Sequence, residues 1–564
     1  MRTLTPEQVS SQIDNPDFHR DFLSKLQVRN LSQVDISTGI SRGGLPLQYL
    51  GKKQVQSLNS KEVGANIGNA SFRRDFLAQD QVIALSLDSL RLGVKHGDFP
   101  LKHLSDAQRK WLTQAQGEGG GVKSSYLIER LGEIRQKPDF GAIEKFVQST
   151  TFSSSKKPNI YFVFFDTLRP DLALQYGDTF KSFYEDNYSF QRAYGAGNAT
   201  VYSTFSLFHA VPASVTYHSV PDKLDDVRKY GSGYLKILKK LGYQINVYGY
   251  YWGCVSRSEP TGYGWERFLT SFFGWNASLI DRCSRDLELD KKFDKDQDEI
   301  TVDEMERILP KTITEDHGRF TVISLYNNHN PYKWGALARV DPSYGPKIMT
   351  SEKGHIRGYR QSVQSSELNF KRVLNLIKSL PGGEDSIVVL FSDHGECLKE
   401  HGGEVGHGGT PFKERIRTIL SFHFGKRSNF HGVQSDDHFA STTDIFPTLF
   451  DFLDIQPAMK GPWISGRSLI SGVRTSVVSA QASQSNPTRK MILENKKYKA
   501  WINVDEGDFY HSSSFKFEKL TDPNDNPIPD ANNICLSKSD DECRKTLMSE
   551  FHDAIEDIYP HAAR

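Results

Sequence analysis

The chain has 564 residues, of which 37% are hydrophobic and 12% aromatic, and its 70 basic side chains against 69 acidic ones leave a formal charge of +1. That length exceeds one ordinary domain and sets an expectation of two to four. The balanced charge gives no electrostatic case for nucleic acid or for a strongly charged membrane surface, and there is no run of about 18 apolar residues to cross a bilayer.

The opening residues, MRTLTPEQVSSQIDNPDF, have no apolar h-region, so a secretory leader is not expected. Residues 1–150 contain an internal duplication: IDNPDFHRDFLSKLQV at 13–28 matches IGNASFRRDFLAQDQV at 67–82, and LTPEQV matches LNSKEV upstream. Each copy opens on a helix-start signal, Thr5 with Gln8 and Asn59 with Glu62, and a third start, LSDAQRKWL, follows at 104. This predicts a small helical module built from duplicated units, with two copies too few for a long solenoid. Its expected role is docking a protein partner or self-association, or else capping the larger domain. AQGEGGGVKSS and QSTTFSSSKKP read as loops or linkers.

From 158 the texture changes. NIYFVFF, the end of YLKILKKLGYQINVYGY, RFTVISLYN and DSIVVLF are apolar strands alternating with helical stretches. That alternation predicts an α/β sheet covered on both faces, in which ligands bind at the carboxyl ends of strands. Asp166 ends the first strand, and Asp393 with His394 ends the last. Taken singly each is an ordinary turn or cap residue. Together they bring two carboxylates and an imidazole to one sheet edge, a set that suits a divalent cation. About thirty residues after the first strand comes GNATVYSTFSLFHAVPAS, in which Thr200 opens a predicted helix; a hydroxyl there lies in a field that favours an oxyanion. Ser203, one helical turn on, competes with Thr200 for the same role. His401 is expected in a surface loop. FDKDQDEITVDEMERIL at 293–309 resembles a calcium loop, but Glu299 stands where the sharp turn needs glycine, and Thr301 with Glu304 reads better as a capping box.

Several segments, in order from about 157 to 530, resemble the sulfatase branch of the alkaline phosphatase superfamily: FVFFDTLRPD, LKILKKLGYQINVYGY, NNHNPYKW, VVLFSDHGECLKEHGG, STTDIFPTLFDFLDI, SGRSLISG, KKYKAWIN and FEKLTDPNDN. The resemblance implies a mixed α/β sheet sandwiched by helices over 157–480 and a smaller C-terminal subdomain over 481–564, behind the N-terminal helical repeat module. It implies one divalent metal ion (manganese, calcium, magnesium or zinc) on Asp166, Thr200, Asp393 and His394. Thr200 takes the nucleophile position, and His329, Tyr332, His407 and Arg169 take substrate-binding positions. His329 and His407 are also the implied catalytic partners, or holders of a second metal.

The departures from the family pattern restrict the chemistry. The formylglycine sulfatases oxidise a Cys or Ser inside Cys/Ser-x-Pro-x-Arg, whereas this chain has Thr200-Val-Tyr-Ser-Thr, with neither the Pro nor the Arg. Threonine carries a methyl on its carbinol carbon and cannot give that aldehyde. A Gly-Lys-Trp-His stretch found in many sulfatases is Gly249-Tyr250-Tyr251-Trp252 here, and the family's second aspartate is Thr167. Threonine nucleophiles are typical of the phosphoryl-transfer branches, such as lipoteichoic acid synthase-like phosphoglycerol transferases, phosphoethanolamine transferases and nucleotide pyrophosphatase-like phosphodiesterases. The implied activity is therefore phosphodiester hydrolysis or transfer through a phospho-threonine intermediate, on a small-molecule or glycan substrate and without nucleic acid. A phosphomonoester or phosphonate hydrolase of the same fold is one alternative, and a catalytically inactive binding scaffold is another. The five cysteines, Cys254, Cys283, Cys397, Cys535 and Cys543, are few, odd in number and scattered; only Cys535 and Cys543 are close enough to suggest a bridge, and the default expectation is the cytoplasm.

Overall fold

A computed structural model of the chain describes residues 4–69, 71–95, 99–100, 103–105, 107–108, 147–152, 157–209, 232–249, 279–283, 297–312, 318–330, 332–333, 335–340, 352–426, 428–456, 466–481, 488–505 and 515–558. The chain divides into two compact units, Met1–Arg135 and Gln136–Arg564.

The first unit repeats every 27 residues, half the spacing that the duplication at 13–28 and 67–82 suggests. Thr5, Ser32 and Asn59 each cap a helix, over Pro6–Gln12, Gln33–Arg42 and Ser60–Asn66, and Ser86 Oγ accepts from Ser89 N ahead of Leu87–Lys95. Each full repeat continues through a 3-10 turn into a short second helix, Lys25–Arg29, Lys52–Gln56 or Gln79–Ile83. The buried positions recur in register: Val9, Ile36, Val63 and Leu90; Leu23, Leu50, Leu77 and Leu104. One repeat cannot close this apolar stripe alone, so neighbours stack on it. A glutamine stitches each joint. Gln81 Oε1 accepts from Ala78 N at 2.9 Å, capping its own helix, while its amide donates to Val55 O and Leu58 O of the preceding repeat at 2.9 and 2.7 Å. Gln54 and Gln108 do the same, donating to Val28 O and Val82 O.

The second unit is built on an eight-stranded sheet. Its strands in chain order are β1 (Ile160–Phe165), β2 (Tyr188–Tyr194), β3 (Gln244–Tyr248), β4 (Arg282–Cys283), β5 (Arg319–Leu325), β6 (Ile387–Ser392), β7 (Leu420–His423) and β8 (Val433–Ser441). The spatial order is β8-β2-β7-β6-β1-β5-β3-β4, mostly parallel, with β7 antiparallel to both its neighbours. Alternate residues of β1 feed two cores. Ile160, Phe162 and Phe164 join Phe320, Phe391 and Phe446 on one face; Tyr161, Val163 and Phe165 join Tyr359, Val363 and Phe370 of a long helix, Glu352–Ser379, on the other. Burial on both faces explains why the strand is apolar throughout.

A four-stranded antiparallel sheet follows, β9 (Ser476–Ala480), β10 (Thr488–Asn495), β11 (Lys499–Asp505) and β12 (Phe515–Thr521). Arg474, fully buried, pairs with Asp444 at 2.6 Å and with Asp557, tying the last helix to the main sheet's flank. Cys535 and Cys543 form a disulfide, and Cys283 is disulfide-bonded as well. No helix among the described residues is long and apolar enough to cross a membrane.

Candidate metal and nucleophile site

Register builds the site. Phe165 of β1 pairs with Ser392 of β6, so the next residues, Asp166 and Asp393, leave the sheet side by side. Gly195, just past β2, lies so close to the Asp393 carbonyl that a Cβ there would stand 2.1 Å from its oxygen. Only glycine allows that approach, which leads the chain across the strand ends into helix α1 (Thr200–His209). Thr200 at its first turn points its Oγ1 to within 3.1 Å of His394 Nε2 and 3.4 and 3.3 Å of the two Asp166 oxygens. Ligand atoms of Asp166, Asp393 and His394 lie within 4.8 Å of one another, all buried. Ser203 is turned away: its hydroxyl donates to Gly197 O at 2.7 Å and accepts from Gly197 N at 3.1 Å.

The donor atoms are free to ligate. Asp393 Oδ1 accepts from the amides of His394 and Thr167 at 2.8 and 3.3 Å, while its Oδ2 is buried with no hydrogen bond. His394 Nδ1 lies 2.9 Å from the Gly395 carbonyl. A carbonyl only accepts, so the hydrogen-bond network assigns the proton to Nδ1 and leaves the Nε2 lone pair facing Thr200. An imidazole held in this way is the common arrangement of a metal-ligating histidine. Burial drives the Asp166 pKa well up, and the charges of Asp393 and Glu396 push it further. Asp393 is also raised by burial, against the opposing pull of His394. Two carboxylates, an imidazole nitrogen and a hydroxyl around one point fit a hard or borderline divalent ion, whose charge would relieve that repulsion.

Glu396 belongs to this neighbourhood and is the residue sequence reasoning passed over. It is fully buried, and burial pushes its pKa to about 8. The signal was a second carboxylate two places after His394 on a strand end. Tyr332, expected to meet substrate, donates to Glu396 Oε1 at 3.1 Å. Arg169 is likewise taken up: its guanidinium pairs with Asp171 at 2.7 Å and with Glu400, and donates to the Glu396 carbonyl. These contacts hold the guanidinium in place. Thr167 adopts φ 58°, a strained conformation for a β-branched residue, and its carbonyl accepts from Tyr359 Oη at 2.6 Å.

His329 and His407 come to the same edge. The ring of His407 stands 4.7 Å from that of His329 and 4.8 Å from that of His394. Burial lowers the His329 pKa to about 4 and that of His407 well below the usual range, so both are neutral near pH 7. His329 Nδ1 lies 2.6 Å from Tyr326 Oη and 2.7 Å from Asn330 O; the carbonyl only accepts, so the hydrogen-bond network assigns the proton to Nδ1, with the tyrosine oxygen accepting beside it, and leaves Nε2 as a lone pair.

Helix α2, Gln297–Thr312, begins before the expected capping box, and Thr301 Oγ1 donates back to Gln297 O within it. Asp298, one of the calcium-like carboxylates, accepts from the amides of Tyr326 and Asn327 at 2.7 Å, closing the end of β5. Asp294 and Asp296 lie outside the described residues, as do Tyr250, Tyr251 and Trp252. His401, expected in a surface loop, packs flat on Phe412 at 3.7 Å and bonds Glu414 at 2.6 Å.

A family model described as Sulfatase matches residues 158–455, more than half of the chain. Among solved structures, one from Bacteroides thetaiotaomicron assigned as a sulfatase aligns at 15% identity and a TM-score of 0.50, covering 71% of this chain and 94% of that one. A second, from that bacterium's glycosaminoglycan-metabolising locus, aligns at 14% identity and a TM-score of 0.50, covering 72% and 100%. The lipoteichoic acid synthase LtaP from Listeria monocytogenes aligns at 15% identity and a TM-score of 0.48, covering 73% and 97%. At these identities the likeness is one of fold. No curated protein matches the chain in sequence.

Proposed function

The chain belongs to the sulfatase family, and within it we propose a metal-dependent phosphoryl-transfer enzyme acting on a phosphodiester, such as a phosphoglycerol, phosphoethanolamine or phospho-sugar group, through Thr200. One observation carries this reading: the side chain facing Asp166 and His394 is a threonine hydroxyl, 3.1 Å from His394 Nε2. It cannot be oxidised to the formylglycine aldehyde, which removes the usual route to sulfate esters, while an alkoxide at a helix start is suited to attack phosphorus.

Asp166, Asp393 and His394 would hold the ion, which when bound supplies positive charge that acidifies the Thr200 hydroxyl and offsets charge on the transferred group. Thr200 Oγ1 then attacks phosphorus in line with the leaving alcohol. The Oγ1–P bond forms, the P–O bond to that alcohol breaks, the threonine proton passes to solvent, and the departing oxygen takes one up. His407, neutral and with a buried Nδ1 lacking a hydrogen-bond partner, is placed to bond a non-bridging oxygen. His329, with its proton held on Nδ1 by Asn330, keeps Nε2 to accept the proton of the water or hydroxyl that opens the phospho-threonine in the second step. The same lone pair supports a second reading, in which His329 and His407 hold a second ion.

The first unit, with its stacked repeats, suits docking to a protein partner or self-association. The Cys535–Cys543 disulfide and the bonded Cys283 favour an oxidising compartment over the expected cytoplasm.

The test is turnover of three nitrophenyl esters, a phosphodiester, a phosphomonoester and a sulfate, with manganese, zinc or calcium, by the wild type and Thr200→Ala. Diester turnover that vanishes in the variant is expected. Preference for the monoester would move the assignment to a monoester or phosphonate hydrolase. Sulfate turnover that depends on Thr200 would overturn the reading. Absence of both turnover and bound metal would leave an inactive scaffold.

A further inference from the structure

We propose that Cys397, His401 and Glu414 form a separate zinc-type metal site, with Cys397 and His401 on the hairpin that follows the strand-end residues. Cys397 lies on a short hairpin, Cys397–Leu398 against Val405–Gly406, and His401 sits in its loop. Glu414 comes from the four-residue helix Lys413–Ile416. Sulfur, imidazole nitrogen and carboxylate oxygen lie within 4.8 Å of one another. Cys397 is fully buried and is the free cysteine among the described residues.

Backbone packing and side-chain contacts together hold these donors near one another. Gly395, at the root of the hairpin, packs so tightly on the Glu414 carbonyl that a Cβ would stand 2.1 Å from its oxygen, and its amide donates to Arg415 O at 3.1 Å. The His401 ring is fixed in plane by Phe412, stacked at 3.7 Å and 5°. Its Nε2 already meets Glu414 Oε2 at 2.6 Å, and the nearest cation to that carboxylate, Lys413 Nζ, stays 3.9 Å from Oε1.

One thiolate, one imidazole and one carboxylate are the ligand types zinc takes. Donors around a tetrahedral zinc stand about 3.3–3.8 Å apart, from bond lengths of about 2.0–2.3 Å. The observed spread, up to 4.8 Å, is closed by an adjustment of about 1 Å. On binding, the Cys397 Sγ–H bond breaks and its proton leaves to solvent; the proton that His401 Nε2 shares with Glu414 leaves that nitrogen while Nδ1 takes one from solvent, and the sulfur–metal and nitrogen–metal bonds form with no change of oxidation state. Glu414 also lines a cavity of about 560 Å³ together with Arg169, Lys413 and Arg417. The bound ion would tie the hairpin to the helix. His407 follows the hairpin directly, so its placement over the strand ends would depend on this tie.

Cobalt substitution of the full-length protein tests the assignment, because a thiolate on cobalt(II) gives a near-ultraviolet charge-transfer band that oxygen and nitrogen ligands do not. The band is expected in the wild type and in Asp393→Asn, and is expected to be lost in Cys397→Ser. Zinc content by elemental analysis is expected to fall by one equivalent in Cys397→Ser and in His401→Gln, the second being a partly exposed position that tolerates change should the first variant fail to fold. Absence of the band from the wild type, or zinc content unchanged in both variants, overturns the proposal. So does a band lost in Asp393→Asn but kept in Cys397→Ser.

Discussion

In the N-terminal array Arg74 and Gln81 are 2% and 6% exposed, and their donors are spent on backbone carbonyls: Arg74 on Ile67 O and Asn69 O, Gln81 on Val55 O and Leu58 O. At the ends of β1 and β6, Asp166, Asp393 and Glu396 are buried at least as deeply, yet Asp393 Oδ2 and Glu396 Oε2 have no hydrogen bond, and all three carboxyls are raised in pKa. Burial of polar groups is common to both regions. The difference is whether the folded chain satisfies them, and a cluster of raised carboxyls with unsatisfied buried oxygens is the pattern of a site completed from outside the chain. The array is built for its own stability, while under the proposed function the strand ends hold back stability that a bound ion would return.

The largest test of that contrast is at Thr200. Thr200→Ala removes the proposed nucleophile while deleting a part-buried hydroxyl whose bonds to Asp166 are long, 3.3 and 3.4 Å. Diester turnover is expected to fall by more than roughly 10³-fold, with the melting temperature nearly unchanged. Thr200→Ser should recover part of the rate. Turnover surviving in the alanine variant would remove Thr200 from the chemistry.

The second test reads the carboxylates through pH. The folded pKa of Glu396, about 8, lies above its ordinary 4.5. Between those values the folded chain binds more protons than the unfolded one, so stability must fall as pH rises through the window. Asp166 and Asp393, also raised, add to the same trend. Chelated protein is expected to lose on the order of 4 kcal/mol from about pH 5 to about pH 8. Manganese should restore it, and Glu396→Gln should flatten the profile. A chelated protein whose melting temperature is level across this range would mean the carboxyls are not charged against one another.

The third test cuts a satisfied group. Gln81→Ala removes a helix cap and two donors to the preceding repeat, leaving the carbonyls of Val55 and Leu58 without them. The expected cost is about 2–3 kcal/mol in the unfolding of the array, with turnover unaffected. Loss of turnover alongside would show that the two units do not act separately.

The two regions were unequally legible. The strand ends stood out because a run of apolar residues stopping at Asp166, or at Asp393-His394, has one polar break in an otherwise buried segment, and register then placed the two together. Thr200 was legible because small residues and an apolar run bracket it. Glu396 was not, since a glutamate in DHGE looks like a loop residue until the fold buries it. The contacts of Arg169 were not legible, since its partner Glu400 is 231 residues away in sequence. In the array, Arg20-Asp21-Phe22-Leu23 and its match at 74–77 are alike enough to see, but the intervening repeat has Leu47-Gln48-Tyr49-Leu50 at the same place. A leucine fills the space of a buried arginine without sharing its letter. The recurrence of glutamine at 27, 54, 81 and 108 carried the true period.

That period provides the finest test, because the array contains its own control. Arg73 stacks on Phe76 at 3.8 Å and grips Asp75 with two bonds of 2.9 and 2.8 Å. Two repeats earlier the same three places hold His19, Asp21 and Phe22, where the imidazole reaches Asp21 only at 3.8 Å and lies 5.6 Å from the Phe22 ring. His19→Arg copies the better arrangement onto a backbone that already has its shape, as His19 and Arg73 have similar dihedrals, φ −75° and ψ 78° against φ −83° and ψ 71°. The gain is limited by solvent: the pair is exposed, and such contacts contribute about 0.2–1 kcal/mol. A rise of that size, lost at high salt, is expected in thermal melts, and the reverse change, Arg73→His, should cost about as much. If the two substitutions move stability in the same direction, the repeats are alike in backbone but not in environment, and the array cannot be treated as copies of one unit.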